Sequence, residues 1–151
     1  MIKTFSIICA VNFFLNALLH LLLIFGAPLG EFVLGGQYII FPIKMRIFSI
    51  IFFIIWFFIG LLYLMKGGLL KYKYNNRIVT IILIIVTLFM IYAIFGNLFM
   101  IYAIFGNLFL TKSIKEKYLM TPLSLITSIC SIFILIDNYK KRKNSISENN
   151  V

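Results

Sequence analysis

The chain has 151 residues, of which 63% are hydrophobic and only 12% charged, with a mean hydropathy of +1.10. A soluble domain is roughly half apolar and a quarter charged, so this composition excludes a soluble fold and points to lipid as the solvent. The formal net charge of +10 does not indicate nucleic-acid binding, because the basic residues lie at the ends of the apolar runs, where membrane topology is set.

A helix crossing the roughly 30 Å hydrocarbon layer needs about 20 mainly apolar residues. Four stretches meet this requirement: 5–25, 46–65, 78–98 with an apolar extension to 110, and 119–137. The expected fold class is therefore all-α, an integral membrane four-helix bundle forming one transmembrane domain over residues 1–138. The connections are too short to hold a separate soluble catalytic head.

The first span follows Lys3 and reads as a retained helix rather than a cleaved signal peptide. Pro28 directly follows Ala27, bulky Phe25 stands where a small residue is required, and Asn12, Asn16 and His20 interrupt the apolar run. Those three polar residues recur every four positions and so share one helical face. Amides and imidazole are costly in lipid, which predicts that this face points into the bundle.

The loop after the first span, Gly26 to Gln37 followed by Pro42, Lys44 and Arg46, holds two glycine clusters and two prolines and so forms turns rather than continuous helix. It has neither the P-loop nor the G-x-G-x-x-G spacing, which argues against phosphate binding there. Glu31 and Arg46 are the expected ion pair of this loop, closing it over His20; Lys44 is the other basic residue in reach of Glu31.

The third span contains a perfect ten-residue repeat: residues 88–97 read LFMIYAIFGN, and residues 98–107 read the same. If helical throughout, 78–110 would be about 50 Å long, against roughly 30 Å of hydrocarbon. The third helix is thus expected to be over-long through a tandem duplication, either projecting beyond the bilayer or breaking near Gly96-Asn97, a pair suited to a helix C-terminus. Ten residues turn a helix about 80° short of whole turns, so the two copies cannot present the same face, and the repeat reads as a tolerated insertion.

The fourth span carries Thr121, Ser124, Ser128 and Ser131 at offsets of three and four. Run antiparallel to the first span, it sets Ser124 at the depth of His20, Ser128 at that of Asn16 and Ser131 near Asn12. Asn12, Asn16, His20, Ser124, Ser128 and Ser131 are accordingly the candidate polar intramembrane face, along which spans one and four should pack. Cys9 and Cys130 lie inside spans without a C-x-x-C pair and read as small buried hydrophobes.

Lys and Arg number nine on the side holding the termini and the second loop and five on the side of the first and third loops. The positive-inside rule then predicts both termini in the cytoplasm of a multi-pass cell-membrane protein. Residues 139–151 open with a basic run and continue with Ser, Asn and Glu, predicting a disordered cytoplasmic tail held near anionic lipid.

Gly26-Ala27-Pro28-Leu29-Gly30-Glu31, Gly35-Gly36, Pro42 with Lys44 and Arg46, and Lys115-Glu116-Lys117 before Pro122 together resemble a group of uncharacterised small bacterial four-span integral membrane proteins with a G-A-P-x-G-[EH] loop. The resemblance implies four helices and membrane residence, and no activity. The duplicated decamer departs from the group's usual span length.

The functional expectation is a non-enzymatic membrane subunit or regulator whose surroundings are the lipid bilayer and a membrane-protein partner or further copies of itself. The alternative is a small oligomeric carrier or channel using the polar face of the first helix. In size it resembles small four-helix multidrug transporters, which depend on a Glu in the first span where this chain has Asn and His. A membrane enzyme pairing His20 with Glu31 lacks a nucleophile and the usual set of mutually positioned groups. A lone histidine among asparagines also lacks the donors zinc or copper needs, so no metal and no cofactor is expected.

Overall fold

A computed structural model describes the backbone of residues 1–33, 36–70, 74–99 and 114–148, and the side chains of these except 95–99, 117, 142 and 145–148. Among the described residues four α-helices follow in chain order: α1 Ile2–Ile24, α2 Ile43–Lys66, α3 Asn76–Phe99 and α4 Ile114–Glu148, with a 3-10 turn at Gly30–Phe32 and no strand. Each helix holds a segment long and apolar enough to cross a membrane, namely Ile2–Ile24, Ile43–Lys66, Asn76–Ile94 and Ile114–Lys141. A helix satisfies its own backbone groups, which is what a chain without water around it must do. The all-helical architecture expected from the apolar runs, with four helices long and apolar enough to span a membrane, is the one observed among the described residues.

The helices are arranged in the order α2, α1, α4, α3. α1 packs along both α2 and α4, α3 packs on α4, and α2 and α3 scarcely meet. The main core draws on all four helices through Cys9, Phe13, Tyr63, Leu83, Cys130 and Ile134. A second, smaller core of Leu23, Val33 and Phe41 lies beneath the α1–α2 loop, with Leu19, Met45 and Met120 against it.

Local chemistry fixes the helix ends. α1 stops at Gly26, whose φ of 87° is the left-handed conformation glycine adopts freely; Gly26 N–H donates to Leu23 O at 3.0 Å and Ala27 N–H to Leu22 O at 3.1 Å, the paired bonds of a Schellman motif. α2 starts directly after Pro42, held in extended conformation. α3 is capped by Asn75, whose Oδ1 accepts from the N–H of Arg77 at 3.0 Å and of Ile78 at 3.4 Å. Within the α1–α2 loop, Gly30 N–H donates to Ile39 O at 3.0 Å. The chain passes so close there that a β-carbon on Gly30 would lie 2.2 Å from Tyr38 O.

Two expectations are corrected. The tail is helical rather than disordered through Glu148, as part of α4. Once the apolar part of α4 has formed, each added residue costs little to propagate, Lys and Arg are good helix formers, and Asp137 pairs with Lys141 at 3.0 Å one turn on. The break weighed near Gly96-Asn97 is likewise not there: α3 runs through both residues to Phe99. A helix interrupted in lipid would expose backbone groups that a continuous one bonds internally. The remainder of the expected extension to 110 lies outside the described residues.

Candidate functional site

Polar side chains that a bilayer would penalise gather where helices meet. Asn12 is buried on the α4-facing side of α1. Its Nδ2 donates to Leu123 O at 3.0 Å and to the hydroxyl of Thr127. Asn16, one turn on and half-buried, folds back on it, with Nδ2 donating to Asn12 O at 3.0 Å and to Asn12 Oδ1 at 3.3 Å. Cys9, one turn in the other direction, places its thiol 3.8 Å from Thr127 O.

The register of this seam differs from the expected one. Asn12 meets Leu123 and Thr127, not Ser131, because α1 docks on the α4 stripe that runs through Thr127 and Cys130 to Ile134. The serine stripe lies one step around the helix. Ser128 Oγ bonds back to Ser124 O at 2.8 Å within α4, and Ser131 bonds to side chains of α2 and α3. Thr127 was missed by a spacing that followed the serines, although it continues the three-residue step from Thr121 to Ser124.

Ser131 is the centre of a second polar junction. Its Oγ lies 2.7 Å from Tyr63 Oη on α2 and 2.5 Å from Thr87 Oγ1 on α3, and Thr87 also donates to Leu83 O at 2.7 Å. All three side chains are buried. This three-helix contact is where α2 and α3, which scarcely touch directly, are both tied to α4. Sequence spacing could not reveal it, because a lone tyrosine near a span end reads as an interfacial anchor.

His20 is 4% exposed, its ring stacked on Phe52 of α2 with centroids 5.3 Å apart. Among the described residues its Nδ1 has no hydrogen-bond partner. From His20 a line of rings continues through Phe52, Trp56 and Phe13 to Tyr63, with successive centroids 6.3, 5.5 and 5.4 Å apart. Aromatic stacking thus joins the imidazole at one end of α1 to the Tyr63–Ser131–Thr87 junction toward the other.

The expected Glu31–Arg46 pair does not form. Glu31, on the 3-10 turn, instead forms its salt bridge with Lys115 at the start of α4. The Arg46 guanidinium lies over Gly26, where a β-carbon would come within 3.0 Å of it, and its Nε donates to Phe41 O at 3.0 Å. Arg46 is therefore committed to joining the end of α1 to the start of α2, while the turn carrying Glu31 packs on α4 and meets the cation there. No group of three or more metal-binding side chains occurs among the described residues. Comparison with protein-family models, with curated proteins and with solved structures finds no match to this chain.

Proposed function

We propose that this chain, which by helix length and composition is a multi-pass membrane protein, resides in the cell membrane with both termini cytoplasmic and acts as a non-enzymatic subunit or regulator. The observation that carries this reading is the use to which Asn12 and Ser131 are put. Both are bonded to neighbours in the same chain, as structural glue between helices is. What the chain offers outward is apolar: Ile47, Phe48, Ile54 and Phe58 on α2, and Ile81, Ile85 and Leu88 on α3, are exposed. In a bilayer such faces are available to lipid or to the helices of another membrane protein.

The test is recovery of the tagged protein from its native membrane in mild detergent, with size analysis. A stoichiometric second protein is expected; the chain running alone or only with its own copies would overturn the subunit role. A second reading, a small oligomeric carrier, is favoured by one observation, the unpartnered Nδ1 of buried His20. It requires solute flux in proteoliposomes that is lost in the Asn12→Ala/Asn16→Ala/His20→Ala variant, and equal flux in both proteins would remove it.

A further inference from the structure

A groove of about 570 Å³ lies between the start of α3 and the far part of α4, lined by Asn76, Arg77, Thr80, Ile81, Ile84, Leu135, Asn138 and Tyr139. Its lining is divided along the helix axes. The polar residues stand at the end of the bundle where α3 begins, and Ile81, Ile84 and Leu135 continue the wall one to two turns deeper into the span. A wall that is polar at the membrane surface and apolar below it matches the shape of a phospholipid rather than of a soluble solute.

Among the described residues the charge at the polar end is positive, with no ion pair to Lys66 or Arg77. Half-buried Lys66, from the end of α2, directs its ammonium to the rim: Nζ donates to Thr80 Oγ1 at 2.9 Å and to Asn76 Oδ1. Two neutral acceptors hold that cation in place without cancelling it, and an ammonium has three donors to give. The amide Nδ2 of Asn138, enclosed in the same lining, has no hydrogen-bond partner among the described residues. The α3 N-terminus itself does not supply the attraction, since Asn75 already accepts from its N–H groups. The side chains of Lys66, Arg77 and Asn138 do.

From this arrangement we infer that the groove is a binding site for one anionic phospholipid, its phosphate held by Arg77 and Lys66 with Asn138 donating to it, and an acyl chain lying along Ile81, Ile84 and Leu135. Basic pockets between spans are sites of this kind, and phosphate bonds to ionised donors are the strong ones. The inference rests on the membrane-spanning reading and not on the subunit role. In the proposed orientation the groove opens into the cytoplasmic leaflet, the one richer in anionic lipid.

The experiment uses the full chain purified in mild detergent and read by native mass spectrometry against phosphatidylglycerol, phosphatidylcholine and inorganic phosphate in turn. Retention of phosphatidylglycerol alone is expected. Lys66→Gln/Arg77→Gln should weaken it about tenfold or more. Ile81→Trp, which fills the apolar wall without altering charge, should weaken it as well and carries the test if the double variant does not fold. Lys140→Gln/Lys143→Gln, on the exposed far end of α4, should leave it near the native value. Equal retention of phosphatidylcholine, displacement of the lipid by inorganic phosphate, or undiminished binding in both groove variants would each overturn the site. A chain that stays soluble without detergent would instead overturn the membrane reading, so the two failures are distinct.

Discussion

The seams that α1 makes and the seam between α2 and α3 are built from similar apolar residues and behave differently. Along α1, an amide reaches a carbonyl and a hydroxyl on α4, and Gly60 of α2 brings the backbone so near Phe14 that a β-carbon would lie 2.7 Å from its ring. Between α2 and α3 there is the Trp56–Phe89 ring pair at 6.2 Å, the Lys66 contacts at one end, and the shared serine of α4. Lipid tails are as apolar as Leu or Ile, so apolar area alone does not drive spans together. Close approach at small residues and hydrogen bonds does.

The contrast can be broken first at Gly60. Gly60→Val should push α1 and α2 apart and lower unfolding free energy by about 1–3 kcal/mol, measured by denaturant titration in mixed micelles; a loss no larger than that of a lipid-facing control would mean the close approach is not structural. Asn12→Leu removes the two bonds from Asn12 to α4 and should cost about 1–2 kcal/mol in the same assay, with Thr127→Val no more costly when added to it than a residual hydroxyl-to-Leu123 bond allows. Ser131→Ala, which unties α2 and α3 from α4 together, should cost about 1 kcal/mol, at roughly 0.6 per bond. Phe89→Ala, acting on the loose seam alone, should cost about 0.5 kcal/mol. If it exceeds Asn12→Leu, the ranking of the seams is wrong.

The smallest effect belongs to the loop. Glu31 and Lys115 are partly exposed, with side chains 28% and 62% accessible, and such pairs contribute about 0.5 kcal/mol. Glu31→Gln should therefore change stability by that amount or less and leave insertion intact. A salt-independent loss well above it would show that the loop is held by this pair rather than by the Leu23, Val33 and Phe41 core.

The spacing of Asn12, Asn16 and His20 was enough to put one polar face on α1, since 3.6-residue periodicity is a property of any helix. What each residue of that face meets was not legible. Asn12 finds Thr127, Asn16 finds Asn12 itself, and His20 finds the ring of Phe52. The partner depends on the axial offset and rotation between two helices, and a shift of one step around α4 exchanges its serine stripe for the stripe holding Thr127. Glu31 illustrates the same point in a loop. Its sign called for a basic partner, and Arg46 was nearer along the chain, but the partner is Lys115, 84 residues away.

By itself the sequence determined that the chain is all-helical with four helices long and apolar enough to cross a membrane, because helix length and hydropathy are properties of each segment alone. The tertiary structure decided the order of the helices, the register of α1 on α4, the meeting of Tyr63, Thr87 and Ser131, and the placing of Lys66 beside the groove that Arg77 lines. Those facts join residues tens of positions apart, and they follow from how ridges, small residues and a few hydrogen bonds settle between helices whose apolar surfaces are otherwise indifferent to one another in lipid.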